Sequence, residues 1–271
     1  MRRTALWSVG LAIVLGLAAQ AYAQMLPDEI AQYPKWEEFL KTAEVVGQKQ
    51  LTGDEAVTNP WVLTMKLGDF THRGLWKNVQ GRPKGYIDNW RYEVAAYRMD
   101  RLLGLNMVPP TVERRFQEDR GSCQYWIDDT ISLRDKVEKK IKTPSYKVFN
   151  WNRATYLQRF FDNLIANEDR SEGNILITKD WRMILIDHSR TFRTWGKLLF
   201  TEKSQGGPKL MSELPRAILE KAKALTFESI KGAVGDYLTD GEIKAVLVRR
   251  DLILKEIDRL IKLNGEGNTL Y

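Results

Sequence analysis

The stretch from Phe160 to Arg193, FFDNLIANEDRSEGNILITKDWRMILIDHSRTFR, constrains the chain more than any other. Two short apolar runs, Ile175-Leu176-Ile177 and Met183-Ile184-Leu185-Ile186, flank Thr178-Lys179-Asp180. Apolar runs on either side of a polar turn read as the two buried strands of a β-hairpin. Ahead of them Leu157, Phe160, Phe161, Leu164 and Ile165 recur at helical spacing, and that helix ends near Asn167. Polar side chains fall at the joints. Asp169 follows the helix, Asn174 comes five residues later at the mouth of the first strand, and Asp187 thirteen residues after that, just past the second. An amide oxygen and a carboxylate suit a hard cation such as Mg²⁺, which makes Asn174 and Asp187 candidate metal ligands. Asp169 is a candidate to accept or orient a proton. The same residues also suit an ordinary polar turn, and the spacing of Asp169 and Asn174 alone does not choose between the two.

A second pair lies upstream. Trp61 to Met65 and Gly74 to Lys77 read as strands, with Leu67-Gly68-Asp69 as the turn between them. Lys77 ends an apolar run, where an ammonium is out of place unless paired. A water-facing Lys on an edge strand is the other account. From Asn89 to Gly104 the sequence predicts a helix with Tyr92, Ala95, Met99 and Leu102 as its apolar stripe, Asn89 as cap and Gly104 as stop. Glu93 sits in its first turn, where the helix dipole favours a carboxylate in any case. The sharper expectation is a Lys77–Glu93 ion pair.

The remaining segments frame these two. Met1 to Ala23 has Arg2 and Arg3, an apolar run from Ala5 to Ala19, and Ala21-Tyr22-Ala23 before Gln24. That is the pattern of a secretory signal peptide, and it predicts an exported, periplasmic or secreted protein. An uncleaved membrane anchor is the alternative, although the apolar run is short for a span. No stable membrane insertion is expected after cleavage. Residues 24–271 carry 40 Lys and Arg against 35 Asp and Glu, a net charge of +5. No nucleic-acid motif or repeat accompanies that mild excess, so no nucleic-acid partner is expected. Cys123 is the only cysteine, so no intramolecular disulfide forms and the fold relies on its core.

Pro27 to Val46 reads as a helical lead-in, and residues 44–79 then read as strands. Thr111–Phe116 and Ser122–Ile127 read as strands around a polar turn from Gln117 to Gly121. Ile131 to Val148 is a Lys-rich helix and loop, read as a solvated face, with a docking role for an acidic substrate as the minority account. Arg170 and Arg190 are read as surface ion pairs, with contact to substrate charge as the alternative. Thr201 to Pro208 is a substrate segment or a linker. Leu214–Ala224, Thr226–Asp236 and Thr239–Gly265 read as three closing helices.

Taken together, the chain resembles the atypical kinases. The resemblance runs over about residues 50–260. It rests on Gly74-Leu75-Trp76-Lys77, on Glu93 through Leu105 to Val108-Pro109-Pro110-Thr111-Val112, and on Asn167-Glu168-Asp169-Arg170 with Asn174 and Ile186-Asp187. The group includes HipA-type serine kinases, type II phosphatidylinositol 4-kinases and secretory-pathway kinases. It implies an α+β, two-lobed, protein-kinase-like fold with a strand-rich N-lobe (24–128) and a helical C-lobe (129–271). It implies Mg·ATP as cofactor, with Mn²⁺ also possible, and a hydroxyl-bearing protein, lipid or small molecule as acceptor. Lys77 would touch the ATP phosphates, Glu93 would pair with it, Asp169 would be the catalytic base, and Asn174 and Asp187 would bind metal. The adenine would meet a hinge near Tyr125–Asp129. The loop from Leu51 through Gly53 to Thr58 is the candidate phosphate loop, although it lacks G-x-G-x-x-G and equally suits a surface turn. Asp187 is followed by His188-Ser189 rather than Phe-Gly. The alternative to an enzyme is a kinase-fold binding protein without turnover, or a structural exported domain.

Overall fold

A computed structural model describes residues 24–52, 58–82, 87–199 and 210–271. The expected leader (1–23), Gly53, Pro83 and Gly85 of the loop before the first long helix, and the Thr201–Pro208 segment lie outside the described residues.

Two helices, α1 (Pro27–Ala31) and α2 (Tyr33–Thr42), lead in. Helix α2 stops short of the expected end at Val46, and the chain passes into strand β1 (Glu44–Gln50). Strand β2 (Trp61–Leu67) and strand β3 (Phe70–Lys77) form a hairpin around Gly68-Asp69. Gly68 takes a φ of +60°, a conformation cheap only for glycine. Short strands β4 (Gln80–Gly81) and β5 (Asp88–Asn89) pair ahead of helix α3 (Trp90–Leu103). Strand β6 (Thr111–Phe116) and strand β7 (Asp119–Tyr125) complete a five-stranded antiparallel sheet ordered β1-β2-β3-β7-β6.

Two details of that sheet correct the sequence reading. The β6–β7 turn is only Gln117-Glu118, both at positive φ, and β7 begins at Asp119 rather than Ser122. A two-residue loop with both residues left-handed matches the twist of the strands it joins. Gly121 is therefore not a turn residue. It lies inside β7, where a Cβ would collide with the Lys77 carbonyl and the Trp76 indole. The second detail removes the edge-strand alternative for Lys77. Strand β3 runs between β2 and β7, so Lys77 is on an interior strand and not at an edge.

Beyond the sheet, strand β8 (Thr130–Ser132) joins strand β9 (Ile175–Thr178) and strand β10 (Met183–Leu185) in a small sheet ordered β10-β9-β8. The expected hairpin is present, with Ile175 opposite Leu185 and Ile177 opposite Met183. Helix α4 (Leu133–Glu138) follows β8, and α5 (Val148–Ile165) is the helix before the hairpin. Three helices close the chain as expected, α6 (Arg216–Lys223), α7 (Phe227–Val234) and α8 (Asp240–Asn264), followed by a short α9 (Glu266–Thr269).

The apolar side chains fall into two clusters. Phe39, Leu40, Leu63, Met65, Trp76, Val112, Phe116 and Cys123 fill the space between α2 and the sheet. The larger cluster joins α3 (Ala95, Ala96, Met99, Leu103) to α5, the hairpin and the closing helices. So α3, which carries Glu93, packs its apolar face on the helical part while its first turn reaches towards β3. That placement ties one helix to both halves of the molecule.

Candidate active site

The site forms where strand β3, helix α3 and the hairpin end meet. Lys77 is the last residue of β3, and its Nζ donates to Glu93 Oε1 and to Asp187 Oδ1, both at 2.8 Å. Lys77 is 6 % exposed and Glu93 is buried beneath it. Burial works against the ammonium, but Asp187 and Glu93 outweigh it and hold the Lys77 pKa above its usual value. Glu93 is the mirror image. Burial opposes its charge, yet Lys77 and the His188 backbone N–H keep its carboxyl well below the usual range. Two carboxylates, 16 and 110 positions away along the chain, thus share one ammonium.

Asp187 takes a φ of +59°, unusual for a residue with a side chain. Such a conformation persists only where neighbours over-determine it. Here the neighbours are explicit. The Ile186 carbonyl accepts from Arg170 Nη1 at 2.8 Å, and the next backbone N–H, from His188, is donated to Glu93 Oε2 at 2.9 Å. The peptide on each side of Asp187 is anchored, and its carboxylate turns to Lys77.

Arg170 does more than the surface ion pair expected of it. It is buried, with Nε and Nη2 on the carboxylate of Asp162, which is fully buried. Its Nη1 also donates to the Asn174 carbonyl at 2.9 Å. One guanidinium therefore fixes the backbone of both candidate metal ligands. Its Nη2 lies 3.0 Å from His188 Nε2. A guanidinium can only donate, so this nitrogen accepts, and burial lowers the His188 pKa in the same sense.

Asn174 closes the short 3₁₀ turn Glu172–Asn174 at the start of β9. Its Nδ2 donates to the Asp169 carbonyl at 3.1 Å, which leaves the amide oxygen as its ligand atom. Asp169 is partly exposed, and its Oδ2 lies 3.1 Å from Arg190 Nη1. Burial raises the Asp169 pKa, with the charges of Asp187 and Asp88 adding to the rise and Arg190 opposing it. Arg190 is in turn held by Nε contacts of 3.0 and 3.1 Å to both oxygens of the buried Asp88. Neither Arg170 nor Arg190 is the surface pair that the sequence suggested. Both belong to the site, because their carboxylate partners come from other elements.

A cavity of about 600 Å³ opens over these groups, lined by Thr58, Lys77, Asp169, Asn174 and Asp187 among others. Of the site residues expected from sequence, it brings together all but two. Glu93 lies behind Lys77, and Gly53 lies outside the described residues. A second cavity of about 330 Å³ adjoins it across Leu75 and Ile186. Its lining includes Tyr125, Trp126, Ile127, Asp128 and Asp129, the expected hinge, with Leu176 opposite.

Four features of this network escaped the sequence reading: Asp88, Asp162, His188 and the buried role of Arg170. Asp88 looks like part of a cap before α3, and Asp162 looks like the polar face of a helix. Burial is their distinguishing property, and no local spacing announces it.

No protein-family model matches the chain, and no curated protein matches it by sequence. Solved structures do match. A structure of hydra Fam20 with sugar is 14 % identical, covers 93 % of this chain and 95 % of that one, and gives a TM-score of 0.65. The Golgi casein kinase is 15 % identical over 92 % of this chain and 79 % of that one, at a TM-score of 0.63. The same kinase with Mn/ADP bound is 16 % identical over 92 % and 80 %, at 0.60. The fold is kinase-like. It is α+β, with a sheet-rich N-terminal part and a helical C-terminal part, and it is shared with hydra Fam20 and the Golgi casein kinase. At these identities the likeness speaks to the fold alone.

Proposed function

We propose that the chain is an exported atypical kinase that moves the γ-phosphoryl group of Mg·ATP to a hydroxyl acceptor. The observation that carries this reading is the Lys77 ammonium held between the carboxylates of Glu93 and Asp187 at the base of a cleft. A buried Lys fixed by two carboxylates from distant elements is costly to assemble, and its use is to meet phosphate charge.

The donor set fits a hard divalent cation: the Asp187 carboxylate, 36 % exposed in its side chain, and the Asn174 amide oxygen face one cleft. When bound, Mg²⁺ or Mn²⁺ would neutralise the charge of the nucleotide phosphates. The Golgi casein kinase, similar in fold, has been solved with Mn/ADP bound, which supports a nucleotide and a divalent cation here. Lys77 would orient the phosphates, and Thr58, across the cleft, would contact the nucleotide. The cavity at Tyr125–Asp129 would take the adenine between Leu75, Leu176 and Ile186. Asp169 would receive the acceptor's proton at its carboxylate, and its raised pKa makes it a better base than an open aspartate. Arg190 would hold that carboxylate at the cleft. The secretory nature of the neighbours and the Met1–Ala23 leader support export, and the sugar in the hydra Fam20 structure is an example of a hydroxyl-bearing ligand.

Thermal stability with and without Mg·ATP tests binding first, because a native-state ligand at about 100 times its Kd adds roughly 2.7 kcal/mol. Transfer or release of the labelled γ-phosphate then tests turnover. A shift with turnover is the expected result. A shift without turnover assigns a kinase-fold binding protein, and no shift overturns the nucleotide reading. Lys77→Met should weaken Mg·ATP binding by about tenfold or more, from loss of a charged hydrogen-bond donor.

A further inference from the structure

The net charge of residues 24–271 is concentrated in one short segment. Leu133 to Phe149 holds Arg134, Lys136, Lys139, Lys140, Lys142 and Lys147 against Asp135 and Glu138, a local balance of +4 within a total of +5. The same segment carries Val137, Ile141, Tyr146, Val148 and Phe149, all among the exposed large apolar side chains. Tyr146 is 76 % exposed and Phe149 58 %. An apolar side chain left in water is ordinary when it is single, but five within thirteen positions form a surface feature.

The fold explains why they stand outward. Lys136 Nζ lies 5.9 Å from the centre of the Trp181 ring, and Trp181 meets Trp151 edge-on at 6.3 Å. The two ends of the segment are thereby gathered on one tryptophan at the tip of the β9–β10 hairpin, and the chain between them is turned to solvent. Aromatic rings and cations alternate there: Lys147 stands beside Tyr146, and Arg153 covers Phe149 at 4.1 Å. Helix α4, which carries Val137, has a defined start, with Ser132 capping it through Asp135.

We infer that Leu133–Phe149 seats the protein on an anionic lipid surface. Rings and branched apolar groups would enter the headgroup boundary, and the lysines would meet lipid phosphates. A peptide partner would be favoured by apolar side chains lining a groove; here they project, which suits a fluid, planar partner. The consequence for the cleft is geometric. Arg134, on the same helix, lines the cavity that holds Asp169 and Asn174, so membrane seating brings that cavity's rim to the lipid surface. Membrane seating does not depend on the phosphotransfer reading, and either can fail alone.

Co-sedimentation of the full chain with vesicles tests it, comparing phosphatidylcholine mixed with phosphatidylglycerol against phosphatidylcholine alone. The leader is common to every variant, so differences between variants report on the segment. Binding should require phosphatidylglycerol and weaken with added salt. Lys139→Glu, Lys140→Glu and Lys142→Glu together should lower partitioning on the order of a hundredfold. Tyr146→Ser with Phe149→Ser should lower it about tenfold or more at unchanged charge. A matched reversal on α8, with Lys244→Glu, Lys255→Glu and Lys262→Glu, should leave binding within about twofold. Melting curves of each variant control for folding. Equal loss in the α8 set would overturn the inference in favour of non-specific charge. Segment-dependent capture of a Glu-rich peptide with no vesicle binding would overturn it in favour of an acidic protein partner.

Discussion

Two buried charge clusters meet at the β9–β10 hairpin of this molecule, and they are built to opposite ends. Around Asp162 everything is closed. Its carboxylate takes Arg170, Gln158 and Asn167, and none of its surface reaches water. Around Lys77 one member is left open, because the Asp187 side chain keeps 36 % of its surface at the cleft. The closed cluster has no freedom to change partners and fixes the backbone of Asn174 and Ile186. The open cluster can exchange one of its contacts for a ligand. The lesson is that a buried ion pair is a scaffold when all its members are enclosed, and a site when one of them is not.

Variants can break that contrast. Asp187→Ala should give the largest effect, with loss of turnover by at least about 10³-fold and of the Mg·ATP thermal shift, while the ligand-free melting point changes little. Activity at wild-type level would remove Asp187 from the metal. Asp162→Ala should act on the fold instead. It strands the Arg170 guanidinium in the interior and should cost about 3–5 kcal/mol, read by urea unfolding. If it instead left stability intact while lowering turnover alone, the closed cluster would be part of the chemistry.

Asp169→Asn should reduce turnover by about 10²-fold or more with Mg·ATP binding preserved. Because burial raises the Asp169 pKa, wild-type turnover should fall as pH drops through that raised value, and the Asn variant should lose this limb. A third buried carboxylate sharpens the comparison from the other side. Asp100 on α3 accepts from the Met107 N–H, its Oδ2 has no hydrogen-bond partner among the described residues, and burial pushes its pKa up to about 7. A carboxyl raised in the folded state holds its proton longer than the unfolded chain does. Stability should therefore be greatest at or below the unfolded value near pH 4 and should fall as pH rises to about 7, by at most about 1.4 kcal/mol per unit. Asp100→Asn should flatten that slope in melting curves taken from about pH 4 to about pH 8. Glu93 runs opposite. Its depressed pKa contributes stability above the usual carboxylate range and loses it as pH falls below.

Much of this was legible in the residues. The hairpin, the helix ahead of it, the Asn89 cap and Gly104 stop of α3, and the closing helices follow from period, capping and turn chemistry, which act over a few residues. Gly121 shows the limit. Its neighbours in sequence make it a turn, and only the Lys77 carbonyl and the Trp76 ring on the adjacent strand explain why it has no side chain. The expected lead-in helix and the strands expected after it overlap at residues 44–46, and pairing of 44–50 with the strand at 61–67 gives those three to the sheet.

By itself the sequence determined which side chains were available and where the elements begin and end, because propensity, periodicity and caps are local. It offered Lys77, Glu93, Asp169, Asn174 and Asp187 as candidates, since polar side chains at the joints of apolar runs are visible in one dimension. Only the tertiary structure decided that Glu93 and Asp187 share the Lys77 ammonium, that Arg170 is enclosed and Asp187 is not, and that Asp88 reaches Asp169 through Arg190. The physical reason is that the energy of a charge depends on its solvent and its partners, and both are set by segments up to 110 residues away.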